Sequence, residues 1–166
     1  MTTTGRIHGI YVAPEQGAPT RSIETARALA GRGLEGDRYC LADAETGTQP
    51  DDRAGGTFAD RDGSDLTLIE TEALEAVERD YDIALEPGVH RRNLTTEGVA
   101  LNHLDGERFS IGDVVCEGVE LCEPCSYLER HLAEEGVREA LIHRGGLRAR
   151  ILEDGILTVG DRVERR

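Results

Sequence analysis

The sequence predicts an α+β fold rich in strands, a β-barrel-like domain with a few short peripheral helices. Three observations carry that expectation. In the C-terminal half, apolar residues recur at close to period 2 in short runs broken by glycine turns, as in strands with one buried face. Helical periodicity is confined to short segments. Strands and helices also fail to alternate in the regular way that a doubly wound parallel sheet requires. A chain of 166 residues has one-domain length, so a single domain over 1–166 is expected, with its core at about 5–163.

Taken in order, "RIHGIYV" (Arg6 to Val12) is a short strand through Ile7, Ile10 and Val12, stopped by "APEQGAP". "SIETARALAGRG" is ambiguous: Ile23, Ala26 and Ala30 fit a helix, while the glycine-rich "GRGLEGDRY" that follows reads as a turn into something functional. Leu41 to Asp65 is polar and aperiodic, a long loop expected to be mobile. "DLTLI" is a strand, and "ETEALEAVERDYD" is an amphipathic helix with Leu74, Val77 and Tyr81 on one stripe. Beyond "EPG", "RFSIGDVVCEGVELC" and "ILTVGDRVER" read as strands around Gly112-Asp113 and Gly160-Asp161, two comparable corners of one curved sheet. Between them lie short helices in "SYLERHLAEEG" and "VREALI", and the strand "LRARIL".

Composition narrows the function. Against 33 acidic residues stand 19 cations, all of them arginine, for a formal charge of -14. Such a surface repels nucleic acid and anionic membranes, so neither is an expected partner; its simplest meaning is a solvated face suited to high salt. With no lysine in this chain, a pyridoxal phosphate aldimine and a P-loop lysine are excluded. No segment resembles a signal peptide or a membrane span, and a cytoplasmic location is expected. In that compartment cysteines are expected to be reduced, metal-bound or catalytic.

Two of the four cysteines form Cys122-Glu123-Pro124-Cys125. Pro124 disfavours helical geometry at Glu123, and Leu128 and Leu132 then recur at helical spacing, which places Cys125 at or just before a helix start. The backbone N–H groups and dipole there favour a thiolate, hence a nucleophile or a metal ligand. Cys122 ends the preceding strand, while Cys116 and Cys40 read as buried structural residues. A zinc site would need two more ligands from His131, His143 or Cys40, and no second Cys-x-x-Cys or close His pair supplies them. A thioredoxin-type dithiol would need a later proline facing the motif, and no proline follows Pro124.

Arginines stand out against so acidic a background. Arg91, Arg92 and Asn93 offer two guanidinium forks and an amide suited to phosphate or carboxylate. In "HRGGLRAR", His143 and Arg144 precede a glycine pair, Gly145-Gly146, that would let a ligand come close to the backbone. Arg148 and Arg150 alternate with apolar residues and so share one face of a strand. Pairing with surface carboxylates is the competing explanation for each arginine.

Together, "GRGLEGDRY", "DLTLIETEALEAV", "HRRNLTTEGVALNHLDGERFSIGDVVCEGVELCEPCSYLE" and "LIHRGGLRARILEDGILTVGD" resemble a stand-alone MOSC domain, the family named for the molybdenum cofactor sulfurase C-terminal region. The resemblance runs from about Gly5 to Val163. It implies a barrel-like fold that binds a molybdopterin-type molybdenum cofactor, with Cys125 at the family's cysteine position, either as molybdenum ligand in reduction of N-hydroxylated compounds or as carrier of a persulfide sulfur. It further implies that Arg38 of "GRGLEGDRY", Arg91, Arg92, Asn93, His143, Arg144 and Gly145 contact the cofactor. Cys122 departs from the many members with one cysteine here. Either activity would need a small-molecule substrate and an external electron or sulfur donor protein. A non-enzymatic cofactor carrier is the alternative, followed by a zinc or thiol-disulfide protein.

Overall fold

Inward-facing apolar side chains build the architecture. In Thr4–Val12 (β1), Leu66–Glu70 (β5), Leu94–Glu97 (β6), Arg108–Ile111 (β7), Val114–Leu121 (β8), Leu147–Ile151 (β9) and Arg162–Arg165 (β11), residues such as Leu66, Leu68, Leu94, Phe109, Ile111, Ala149, Ile151 and Val163 point to one shared interior. These seven strands close a barrel in the order β1-β6-β5-β9-β8-β7-β11, and β11 returns to β1 through Thr4–Arg6. Side chains fill the interior, as expected of a barrel this small. All pairings in the ring are antiparallel except β5 with β6.

This computed structural model describes residues 4–15, 17–38, 40, 65–86, 88–122, 132 and 135–166. The loop expected over Leu41 to Asp65, apart from Asp65, and most of the helix expected in "SYLERHLAEEG" lie outside them.

The ambiguous "SIETARALAGRG" is not helical. Arg21–Ile23 (β2) extends the sheet along β1, and Thr25–Leu29 (β3) joins Gly33–Leu34 (β4) and Gly155–Thr158 (β10) in a second, three-stranded sheet. Ala26 and Ala28 are the buried positions of β3 and pack with Leu34 and Leu157 onto the barrel core, so alternation overrides the weak helical spacing. The two Gly-Asp corners meet each other: Gly112 N–H donates to the Arg162 carbonyl at 2.9 Å, and the Asp161 carboxylate stands 2.8 Å from where a Gly112 Cβ would be.

Helix α1 (Thr71–Tyr81) covers the outer face of β5. Val77 packs against Ile69 with Ile83 and with Val137, Ala140 and Leu141, the last three in or beside the short helix α2 (Val137–Ala140). Tyr81, expected on the apolar stripe, is instead 40% exposed, and its ring lies under the Arg144 guanidinium at 5.8 Å. Among the described residues no helix is long and apolar enough to cross a membrane.

Candidate functional site

Three chain segments meet around β5. Asn93, just before β6, accepts hydrogen bonds at Oδ1 from Thr67 N–H at 3.1 Å and from the Thr67 hydroxyl at 3.2 Å, and its Nδ2 donates to the Tyr11 carbonyl at 3.3 Å. Its buried amide thus joins β1, β5 and β6, and its role in the fold is that of a bracket. Gly145 and Gly146 pass equally close on the other side. A Cβ on Gly145 would strike the Cys122 carbonyl, and one on Gly146, where φ is +105°, would strike the Leu68 carbonyl. The glycine pair is therefore occupied by close approach to the protein's own backbone, with Cys122 N–H donating to the Gly146 carbonyl at 2.8 Å.

The arginines fan out from this frame. Arg91 adopts the left-handed region (φ +64°), which separates its side chain from that of Arg92. Arg91 Nη1 donates to the Ala18 carbonyl. Arg92 turns the other way: Nε donates to the Gly145 carbonyl at 3.0 Å and Nη1 to the His90 carbonyl at 3.3 Å. Arg38 reaches in from the turn after β4, with Nη2 donating to the Arg91 carbonyl at 3.4 Å and Nη1 on Asp37 Oδ1 at 3.2 Å. Asp37 in turn accepts the Ala13 N–H at 3.0 Å, which fixes that turn across the end of β1.

His90 supports the arginine segment from behind. It is fully buried, its ring meets Tyr11 edge to face at 5.2 Å, and Nδ1 accepts the Arg92 N–H at 3.0 Å. Burial, and then the nearby Arg92 charge, push its pKa down to about 3, so the imidazole is neutral and can act as acceptor. The Gly88 N–H also faces the ring, at Nε2 and 3.4 Å; a neutral imidazole has one acceptor nitrogen, and the shorter Arg92 contact claims Nδ1 for that role.

Arg38, Arg91, Arg92, Asn93 and Gly145 are thus brought together beside Cys122, the residue that follows β8. The other two predicted residues point elsewhere. Arg144 donates to the Ala140 carbonyl at 2.7 Å and pairs with Asp80 at 3.4 Å, which ties α2 to α1. His143 is exposed, and its carbonyl accepts from Asn102 Nδ2 at 3.0 Å. Arg148 and Arg150 pair across the strands with Glu120 and Glu117, the surface pairing weighed for them in the sequence. Cys125 and His131 lie outside the described residues.

The described cysteines, Cys40, Cys116 and Cys122, are all buried. Burial, and then Asp65, push the Cys116 thiol up to about 12, which leaves it a neutral core residue. Among the described residues no three side chains of His, Cys, Asp or Glu gather as a metal cluster. The sequence reading passed over His90, Asp37 and Thr67, although His90 directly precedes the arginine pair.

The MOSC domain family model matches residues 55–164. This chain belongs to the MOSC domain family. The MOSC fold is repeated in solved structures of low identity. The YuaD protein from Bacillus subtilis superposes with a TM-score of 0.79 at 14% identity, over 99% of this chain and 97% of that one. YiiM from Geobacillus stearothermophilus gives 0.71 at 12%, over 98% and 75%, and YiiM from Escherichia coli gives 0.64 at 16%, over 97% and 69%. No curated protein matches the sequence. The MOSC family is associated with molybdenum cofactor binding.

Proposed function

We propose that this MOSC domain binds molybdenum cofactor at the arginine cluster and holds the metal through the Cys125 thiolate. The observation that carries the reading is the state of Arg92. Part-buried in a chain of net charge -14, it meets only carbonyl oxygens, and no carboxylate among the described residues matches its charge. A cation kept in that condition suits an anionic group such as the cofactor's phosphate.

The chain's own residues would divide the work. Arg92, anchored at Nε and Nη1 by carbonyls, keeps Nη2 for an oxyanion, while Arg38, paired with Asp37, steadies the segment through the Arg91 carbonyl. Neutral His90 holds the Arg92 backbone through Nδ1, and Asn93 locks the segment to β5. These brackets pre-organise the cations, which limits the ordering cost of binding. Cys125, three residues beyond Cys122, would supply a thiolate to the metal. When bound, the cofactor supplies two-electron redox or sulfur chemistry; reduction of N-hydroxylated compounds is the favoured activity, with electrons from an external donor protein.

Expression in hosts with and without cofactor synthesis tests the reading. Oxidative release of a fluorescent pterin from protein made in the competent host alone is expected, and its loss in Arg92→Gln. Equal signal from both hosts would overturn cofactor binding. A loaded protein that turns over no N-hydroxylated compound with any reductant would make it a cofactor carrier.

A further inference from the structure

A cavity of about 230 Å³ lies between the outer face of β1 and β6 and helix α1, with His90 in its wall. Its lining contains three exposed carboxylates, Glu75, Glu78 and Glu86, and no arginine. Acidic residues on a helix are ordinarily a solvated face. Tyr11 makes this cavity different. Its side chain is buried to 7% exposure and lines the cavity, and no described side chain or backbone group hydrogen-bonds its hydroxyl. The ring is folded back over Gly9, where a Cβ would stand 2.6 Å from the Tyr11 hydroxyl and 3.0 Å from Thr95 Oγ1. Thr95 Oγ1, shielded from solvent beside it, also lacks a partner. Gly9 thus makes room for two hydroxyls without a protein partner, of which Thr95 Oγ1 is shut off from solvent, a costly arrangement for a buried hydroxyl, while the Tyr11 hydroxyl keeps access to the cavity.

We infer that this cavity binds a small organic cation, a primary amine with a short apolar body. The charge of such a ligand would be stabilised by Glu75, Glu78 and Glu86. An ammonium has three donors and no acceptor, so one N–H suits the Tyr11 hydroxyl as acceptor, while the apolar body covers Leu74 and Leu85. Since a cavity of ~150 Å³ takes benzene, 230 Å³ suits a ligand of about nine non-hydrogen atoms. The inference does not rest on the cofactor reading, because none of the arginines proposed to hold the cofactor lines this cavity.

Titration of the full chain with 2-phenylethylamine, followed by amide chemical shifts, tests it. Saturable shifts at Tyr11, Thr95 and α1 are expected, with a dissociation constant of about 1 mM for so small a ligand. Glu75→Gln with Glu78→Gln should weaken the amine about tenfold and leave neutral 2-phenylethanol unchanged. Tyr11→Phe, which keeps the ring, should weaken the amine about fivefold. The inference is overturned if the amine gives no saturable shift, if phenylacetate binds as tightly, or if both variants bind the amine like the wild type.

Discussion

Lowering the pH from 7 to 5 should cost the fold about 2 kcal/mol through one imidazole, that of His90. Its pKa of about 3 in the folded chain lies below the ordinary 6.5 because burial, aided by Arg92, opposes the charged form. Between those values the unfolded chain binds a proton that the folded chain refuses. His90's contribution is therefore complete above about pH 6.5 and falls by up to about 1.4 kcal/mol per pH unit as the pH drops toward 3. Urea denaturation of the wild type and His90→Gln at pH 7, 6 and 5 measures it. Asp80 and Glu97 also weaken the fold in acid, since Arg79 and Arg6 hold their carboxyls below the usual range, but they are present in both proteins and cancel. The wild type should lose about 2 kcal/mol more than His90→Gln over this range. Equal losses would refute the assignment of His90 as a buried neutral acceptor behind Arg92.

Two further outcomes follow from the same frame. Asn93→Leu removes three hydrogen bonds and strands the Thr67 N–H, so the urea midpoint should report a loss of about 2–3 kcal/mol; a loss below ~1 kcal/mol would show that Asn93 is not a bracket. Gly146→Ala combines a left-handed φ with a clash against the Leu68 carbonyl and should cost about 3 kcal/mol or more, whereas Gly31→Ala, also left-handed but facing open space, should cost about 1 kcal/mol. Equal costs would remove close approach as the reason for the glycine pair.

The barrel was legible where strands alternate cleanly, as β9 does: Leu147, Ala149 and Ile151 need no long-range information to declare a buried face, whereas β5 is buried on both faces because α1 covers its outer side. The β3 segment was less so, since Ala26 and Ala28 acquire their burial only by pairing with β10, from more than a hundred residues away. Among the site residues, Arg91, Arg92 and Asn93 were found by composition, but their division of labour was not. That Asn93 is spent on Thr67 and Tyr11 depends on β1, β5 and β6 meeting. Arg144 looked equivalent to Arg92 in its own glycine context; only packing of α2 on α1 sends it to Asp80. His90 was invisible because a buried acceptor and an exposed histidine are the same letter until the Tyr11 ring closes over one of them.

Molybdenum per chain, measured in parallel on the wild type, Cys122→Ser and Cys125→Ser from a cofactor-competent host, tests the central claim most directly. Near-stoichiometric metal in the wild type and Cys122→Ser, with its loss from Cys125→Ser, is the predicted result. A wild type without molybdenum, or a Cys125→Ser variant that keeps it, would contradict the account.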